Sequence, residues 1–176
     1  MKIIDNFLDQ KNFDELQNAI MGENFAWFYN DVIDSNDDID KYQFIHTFYT
    51  NYVPTSNNIK TINPILNKIG PVSLLRIKAN LLTRTLNIVE NKFHVDMGIG
   101  YNQDGVAVVM PEEKLKLFTT SIFYVNTNNG YTKFEDGTKV ESVANRLLSF
   151  PANIKHTGTS CTDQKTRVVI NFNYFQ

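Results

Sequence analysis

Two histidines and one aspartate are the residues of this chain whose types and spacing best suit a metal ion. His94 and Asp96 stand two residues apart in a strand-like run, and His156 follows another such run at 146–150. In an extended strand, residues two apart project from the same face, about 7 Å apart along the chain, so both side chains can reach one ion. Two neutral imidazoles and one carboxylate on one face of an octahedron leave three positions open. That donor set is typical of non-haem Fe(II) sites and differs from a closed structural zinc site.

A second candidate for chemistry is Arg167, eleven residues beyond His156 at the start of the run 167–174. Strand alternation divides this run into a polar face and an apolar face. The polar face holds Arg167, Val169, Asn171 and Asn173, and the apolar face holds Val168, Ile170, Phe172 and Tyr174. If the apolar face packs under helices, the arginine points into the interior, where it is costly to bury unless a carboxylate pairs with it. A dicarboxylic co-substrate provides such a partner, because guanidinium and carboxylate pair through two parallel hydrogen bonds.

The elements that must position these residues change in type near residue 70. Apolar residues at near-helical spacing predict a helix over 9–21, with Asp9 as its N-cap, and a second over 59–69, with Pro64 in its first turns. Farther on, short β-prone runs separated by turn residues predict strands. These strands span 74–82, 92–97, 105–110, 118–126, 131–134, 138–142, 146–150, 153–157 and 166–175. No repeat or linker divides the chain, so we expect one mainly β (α+β) domain over 1–176, with helical support over 1–70 packed on a β core over 71–176.

Composition argues against several classes of partner. With a formal net charge of −2 and a pI near 5.9, the chain lacks the diffuse positive surface that attracts nucleic acid or anionic membranes. No apolar stretch approaches the roughly 18–20 residues that cross a bilayer, and charge at Lys2 and Asp5 comes too early for a signal peptide. We therefore expect a soluble, cytoplasmic protein. Lysine outnumbers arginine 13 to 4 and there are 22 asparagines, a bias that favours AT-rich coding sequence from a viral or microbial source.

Eight motifs in a fixed order carry a resemblance to a known family. They are Ile4-Asp5-Asn6-Phe7-Leu8, Arg76-Ile77-Lys78-Ala79-Asn80, His94-x-Asp96, Ser121-Ile122-Phe123-Tyr124-Val125-Asn126, Asn129-Gly130-Tyr131-Thr132-Lys133-Phe134, Asn145-Arg146-Leu147-Leu148-Ser149-Phe150, His156-Thr157-Gly158 and Arg167. In this order they resemble the Fe(II)/2-oxoglutarate-dependent oxygenases, in their prolyl 4-hydroxylase-like branch. The resemblance covers most of the chain and implies a double-stranded β-helix (jelly roll) core with the N-terminal helices packed on one sheet.

The resemblance also implies an activity. His94, Asp96 and His156 would be the catalytic iron ligands, and Arg167 would pair with the distal carboxylate of the co-substrate 2-oxoglutarate. Dioxygen would be the second co-substrate, and decarboxylation to succinate would accompany hydroxylation of a C–H bond. The branch favours peptidyl proline as substrate, while other peptides, proteins, free amino acids and small metabolites stay open. The loops expected around the opening of the site are 31–58, 83–92 and 98–105, and their sequences do not identify the substrate.

Four further residues are candidates for contact with the co-substrate. The resemblance implies that Tyr124 lies beside its distal carboxylate, and strand alternation agrees by putting Tyr124 on the face shared with Thr120, Ile122 and Asn126. Thr132 holds the small polar position after the glycine-containing turn. Asn80 stands near the place where many relatives have a tyrosine, so its role departs from the family's pattern. Asn171 shares the face of Arg167.

A non-catalytic jelly-roll module that binds a metal or a ligand is the alternative to an enzyme. It would share the strands, but it would not need Arg167 beside an open metal face. His46, within an aromatic run, is interpreted as a structural histidine. The aspartates of 31–40 lack the glycine and glutamate of an EF-hand and are interpreted as a solvated loop. Trp27 and its aromatic neighbours are interpreted as an anchor between the helical layer and the sheet.

Overall fold

The computed structural model describes residues 1–33, 41–50, 52–96, 99–101 and 107–176. The helices are α1 (Gln10–Met21), α2 (Asn63–Ile69) and α3 (Glu112–Leu115), with a 3-10 helix at Asn57–Ile62. The strands are β1 (Lys2–Ile4), β2 (Phe28–Asn30), β3 (Gln43–Thr50), β4 (Val53–Pro54), β5 (Ser73–Thr83), β6 (Ile99–Tyr101), β7 (Ala107–Val109), β8 (Phe118–Tyr124), β9 (Tyr131–Phe134), β10 (Lys139–Glu141), β11 (Arg146–Pro151), β12 (His156–Gly158) and β13 (Thr166–Phe175).

Two antiparallel sheets face each other across the functional region. In the part of the chain that the structure describes, the larger sheet runs in the order β1-β11-β8-β13-β5-β3-β2, with β4 paired to β3. The smaller sheet has the order β10-β9-β12, and β6 pairs with β7 as a separate ribbon. This is the predicted mainly β jelly-roll arrangement, in which chain-distant strands become neighbours and inward-facing side chains fill the space between the sheets.

The larger sheet has an apolar core on each face, and the faces of β13 show why. Val168, Ile170, Phe172 and Tyr174 pack with Phe13, Leu16 and Ile20 of α1 and with Ile62 and Ile65 near α2. On the opposite face, Val169 joins a second cluster with Ile122, Tyr124, Phe134, Val140, Leu148 and Phe150 between the two sheets. The predicted division of the final strand into a helix-facing side and an inward side is therefore confirmed.

The predicted helices are confirmed with one adjustment. α1 begins after Asp9, whose carboxylate accepts a hydrogen bond from the backbone N–H of Asn12 at 3.0 Å, as an N-cap does. The stretch 59–69 is divided into a 3-10 helix and α2. Pro64 lies in the first turn of α2, because proline has no N–H to offer the preceding turn and fits best where none is required.

Residues 1–70 contain more than the helical layer that the sequence predicted. β1 pairs with β11, and the eight-residue strand β3 pairs with β5, so this region also adds strands to both ends of the larger sheet. The interpretation of 31–58 as a loop at the opening of the site is therefore wrong for β3. Its sequence, Gln-Phe-Ile-His-Thr-Phe-Tyr-Thr, carries large apolar residues on both faces, which hides the alternation that identifies a strand.

Three predicted strands differ from the observed ones or extend beyond the described residues. The stretch 153–157 is a turn followed by β12, which begins three residues later at His156, because the chain turns directly after Pro151. The stretch 92–97 forms only an isolated bridge at His94 within its described part. Residues 34–40, 51, 97–98 and 102–106 lie outside the described residues, and with them most of the aspartate-rich stretch and parts of the predicted strands 92–97 and 105–110 and of the loop 98–105.

His46 and Trp27 both lie next to the ring of Phe25. His46 is buried between the rings of Phe25 and Phe48, and its two ring nitrogens lie 2.7 Å from Ala26 O and Ser56 Oγ, which fits a structural role. Trp27 packs edge-on against Phe25 at the border of the helix-facing core. Within the described ranges, no helix combines the length and the apolar character needed to span a bilayer.

Candidate metal and co-substrate site

A single pair of backbone hydrogen bonds brings His94 and His156 side by side. The N–H of each residue donates to the carbonyl oxygen of the other at 3.0 Å, forming an isolated antiparallel bridge. Directly opposed residues in such a pair project on the same side of the sheet. Because Asp96 lies two residues after His94, its side chain also points to that side. The ligand atoms of all three residues lie within 4.8 Å of one another.

Backbone carbonyls orient both imidazole rings. Nδ1 of His94 lies 3.0 Å from Lys92 O, and Nδ1 of His156 lies 3.3 Å from Ile154 O. A carbonyl oxygen only accepts hydrogen bonds, so each Nδ1 carries the proton and each Nε2 presents its lone pair. The two Nε2 atoms lie 3.8 and 3.9 Å from Oδ1 of Asp96. This is the tautomer in which both rings can bind a metal ion through Nε2.

Asp96 is held by donors on two strands. Its side chain is 4% exposed, Nη2 of Arg76 lies 3.5 Å from Oδ1, and Nδ2 of Asn173 donates to Oδ2 at 3.1 Å. Burial alone would raise the pKa of this carboxyl, but the positive charges of protonated His156 and of Arg76, with the hydrogen bond from Asn173, outweigh it and hold the pKa below its usual range. Burial in turn lowers the pKa of His156, against the opposing charge of Asp96. The charge of His156 acts in the acidic range where Asp96 titrates; at neutral pH the carboxylate of Asp96 is ionised and the imidazole of His156 is neutral.

Arg167 is a buried cation without an acidic partner in the described structure. It is 3% exposed, its Nε donates to Ser142 Oγ at 2.9 Å, and its Nη2 donates to Thr132 Oγ1 at 3.3 Å. No carboxylate of the described residues lies within 4 Å of the guanidinium. Burial lowers the pKa of Arg167, and the Tyr124 hydroxyl, which itself donates to Thr132 Oγ1 at 2.8 Å, partly opposes that effect. A guanidinium has five N–H donors, so three remain for a ligand after the hydrogen bonds to the two hydroxyls are made.

Two glycines make room for this guanidinium. A Cβ at Gly130 would lie 2.7 Å from Arg167 Cδ and 2.7 Å from the backbone oxygen of Ser160, and a Cβ at Gly158 would lie 3.3 Å from Arg167 Nη1. Gly130 belongs to the turn before β9, and Gly158 ends β12. The smaller sheet can therefore approach Arg167 closely only because these positions lack side chains.

The metal-ligand group and Arg167 line one cavity of about 80 Å³. Its wall contains His94, Asp96, His156, Arg167, Thr132, Asn80 and Asn171 among the residues predicted from the sequence, together with Lys78, Gln43, Leu82 and Val169. Tyr124 lies behind the wall, fully buried, and reaches the site through its hydrogen bond to Thr132. Oδ1 of Asn80 and Oδ1 of Asn171 are buried atoms for which the described structure provides no hydrogen-bond partner. Such orphaned acceptors point to a bound group or water in the cavity.

Sequence reasoning missed two cations of this site, Arg76 and Lys78. β5 pairs with β13 so that Lys78 lies opposite Asn171 and Arg76 opposite Asn173. Because Arg167, Asn171 and Asn173 all face inward, Arg76 and Lys78 face inward too. Alternation along 74–82 put these residues on one face, but only the register with β13 shows that this face lines the cavity.

Comparison with solved structures supports the predicted double-stranded β-helix fold, since the matches include prolyl hydroxylases and a protein solved with 2-oxoglutarate bound. One match is a prolyl hydroxylase from Trichoplax adhaerens in complex with a hypoxia inducible factor oxygen degradation domain peptide, with a TM-score of 0.66 and 14% identity over 99% of this chain and 82% of that one. HygX from Streptomyces hygroscopicus, with nickel and 2-oxoglutarate bound, has a TM-score of 0.61 and 8% identity over 98% and 81%. The viral collagen prolyl hydroxylase of Paramecium Bursaria Chlorella virus-1 has a TM-score of 0.54 and 15% identity over 99% and 90%. No protein-family model and no curated protein sequence matches the chain. At these identities the likeness establishes the fold.

Proposed function

We propose that residues 1–176 act as one Fe(II)/2-oxoglutarate-dependent oxygenase domain that hydroxylates a C–H bond. The observation that carries this proposal is the convergence, in one cavity, of a His-Asp-His donor set and a buried arginine without a carboxylate partner among the described residues. A metal site alone would leave the burial of Arg167 unexplained, since an unpaired buried charge is strongly unfavourable. A dianionic co-substrate that bridges the two features removes that difficulty.

The residues present fit both groups. Nε2 of His94, Nε2 of His156 and Oδ1 of Asp96 would hold Fe(II), and the three remaining N–H groups of Arg167 would hold the distal carboxylate of 2-oxoglutarate. When bound, the iron and its co-substrate would supply the oxidising chemistry, in which one atom of dioxygen is used to convert 2-oxoglutarate to succinate and carbon dioxide and the other enters the substrate as a hydroxyl group. Asn80 and Asn171 offer buried amides to the same cavity.

Other residues of the chain would orient the three metal ligands and shield part of the site from solvent. The carbonyls of Lys92 and Ile154 would keep the Nδ1 protons on the two histidines, so that the lone pair of each imidazole is on Nε2. Asn173 fixes the carboxylate of Asp96 through one oxygen and leaves the other directed at the imidazoles. The side chain of His94 is 39% exposed while that of His156 is 4% exposed, so the open side of the site lies next to His94. A substrate would approach from there.

Peptidyl proline is the substrate class that we propose first. The solved structures with this fold include prolyl hydroxylases, one of them holding a peptide. A mass-spectrometric screen of proline-containing peptides with Fe(II), 2-oxoglutarate and dioxygen should show the gain of one oxygen atom on a proline. A screen in which only non-proline peptides or small metabolites gain oxygen would keep the oxygenase and reject this substrate.

Turnover without added substrate tests the reaction class. Purified protein should convert 2-oxoglutarate to succinate in air when Fe(II) and ascorbate, as the reductant, are supplied, and His94→Ala should abolish this conversion because it removes one of three ligands. His46→Gln is the matched control, because His46 lies outside the cavity; its succinate yield should equal that of the parent. If the parent protein neither forms succinate nor binds 2-oxoglutarate in calorimetry, the chain is a non-catalytic jelly-roll module.

A further inference from the structure

Lys78 is a cation in the wall of the cavity that the proposed metal and co-substrate do not use. It lies in the middle of β5, faces inward opposite Asn171, and lines the same cavity as His94, Asp96 and His156. Burial and the neighbouring charge of Arg76 lower its pKa to about 8, with Asp96 opposing them, so the ammonium is still mostly charged at neutral pH. Within the described residues, no carboxylate lies within 4 Å of it.

Asp96 is the nearest candidate for a partner, and other groups already occupy it. Arg76 lies 3.5 Å from one oxygen, and Asn173 and Asn171 approach the other at 3.1 and 3.5 Å. The same carboxylate is a proposed metal ligand. Lys78 is therefore left with its charge directed at the cavity.

The charges around the cavity do not balance. Among the described residues, the wall and its direct contacts contain three cations, Arg76, Lys78 and Arg167, and one carboxylate, Asp96. Fe(II) and 2-oxoglutarate carry opposite charges of equal size, so binding both leaves the excess of two positive charges unchanged. This excess is local, because the whole chain has a formal net charge of −2. A concave site with charge of one sign attracts ligands of the other.

A second cavity of about 190 Å³ adjoins the first and shares Ile33, Leu82 and Asn91 with it. The described part of its wall includes the exposed Arg84 and contains no aspartate or glutamate. The second cavity therefore adds a further cation, Arg84, next to the cavity that Lys78 lines.

We propose that Lys78 binds a carboxylate of the primary substrate, so that the molecule hydroxylated here is acidic. This inference rests on the proposed function and gives it a substrate class: a carboxylic acid, supplied either by a small molecule or by an acidic residue of a peptide. Lys78 acts as a specificity-determining residue, distinct from Arg167, which serves the co-substrate.

The test compares acids with their amides on protein loaded with Zn(II) and 2-oxoglutarate, which binds without turnover. One panel contains N-acetyl amino acids and the corresponding amides; a second contains proline peptides with glutamate and the same peptides with glutamine. Binding is measured by saturation-transfer NMR, and oxygen gain is then measured by mass spectrometry with Fe(II). The parent protein should bind members of one acid panel at least about tenfold more tightly than their amides, and the panel that responds identifies the source of the carboxylate.

Variants assign the preference to one residue. Lys78→Met should reduce it to about twofold, Lys78→Arg should retain it, and Lys60→Met, at an exposed lysine outside both cavities, should leave it unchanged. Affinity for 2-oxoglutarate should stay within about twofold in all three. The inference is overturned if protein that still binds 2-oxoglutarate binds acids and amides equally, or binds neither. It is also overturned by a loss of 2-oxoglutarate affinity in Lys78→Met, which would assign Lys78 to the co-substrate. Failure of the proposed function is a separate result, in which the parent protein neither binds 2-oxoglutarate nor forms succinate.

Discussion

Replacing Arg167 by methionine removes the guanidinium and keeps much of the apolar stem that fills the space beside Gly130. Three N–H groups of Arg167 remain after its hydrogen bonds to Ser142 and Thr132, and two of them suffice for a two-pronged contact with a carboxylate. Hydrogen bonds to charged groups are worth about 1.5–3 kcal/mol each, so two contribute about 3–6 kcal/mol. Since each 1.4 kcal/mol is a factor of ten, the dissociation constant for 2-oxoglutarate should rise by roughly 10²- to 10⁴-fold in Arg167→Met.

Calorimetric titration of 2-oxoglutarate into Zn(II)-loaded protein measures this change without turnover. Thermal unfolding provides a second readout, because ligand at 100 times its dissociation constant stabilises by about 2.7 kcal/mol, or roughly 5–11 °C for a chain of this size. The parent protein should show this shift and Arg167→Met should lose it. Without 2-oxoglutarate, the variant should unfold at or above the parent's temperature, because a buried cation without a carboxylate partner has been removed.

Arg146→Gln is the matched control. Arg146 lies on β11 outside the lining of the cavity and pairs with Asp5, whose side chain is 55% exposed, so affinity for 2-oxoglutarate should not change. If Arg167→Met binds 2-oxoglutarate within about threefold of the parent while Zn(II) binding is intact, the distal carboxylate lies elsewhere and the assignment of Arg167 is refuted.

Three further predictions concern neighbouring features. Gly130→Ala forces a Cβ within 2.7 Å of Arg167 Cδ, so we expect a loss of about 1–3 kcal/mol in thermal unfolding together with weaker 2-oxoglutarate binding in calorimetry; unchanged affinity would contradict the crowding. Asn145→Ala removes two buried hydrogen bonds, from the N–H and to the carbonyl of Leu8, and replaces a residue at φ 62°, so urea unfolding should show a loss of about 2–4 kcal/mol, and a loss below 1 kcal/mol would count against it. The pKa of Lys78 is about 8 in the folded protein and ordinarily about 10.5, so between these values the unfolded chain binds the extra proton and the free energy of unfolding should rise with pH by up to about 3 kcal/mol. Urea titrations from pH 8 to 10.5 should show that rise in the parent and not in Lys78→Met; parallel curves would refute it.

Local periodicity was sufficient wherever a segment has one apolar face. The final strand was predicted with its observed bounds, because its polar and apolar residues alternate without interruption over 167–174. The N-cap at Asp9 was likewise readable, since capping depends on residues within one turn. His94 and Asp96 could be placed on one face for the same reason.

Features that depend on residues distant in the chain could not be predicted from the sequence. The bridge between His94 and His156 joins residues 62 positions apart, and the sequence suggested both as ligands of one ion without showing how the fold brings them together. Lys78 carries no local sign of facing a cavity, because a lysine in a strand is ordinarily directed at solvent. Its orientation follows from the register of β5 on β13, a property of two strands that no single stretch of sequence specifies.

The central position of β13 explains how one strand can serve both stability and binding. It is paired on both sides, with β5 and with β8, so its backbone is fixed along nearly its whole length. Its outer side chains lie in the core against α1, while its inner side chains Arg167 and Asn171 line the cavity that we propose for the co-substrate and Asn173 contacts Asp96. Successive side chains of a strand project from opposite faces, so a substitution on the inner face changes binding without disrupting the helix-facing core. That separation lets the larger sheet hold several inward-facing cations, because the apolar contacts on its other face are left intact.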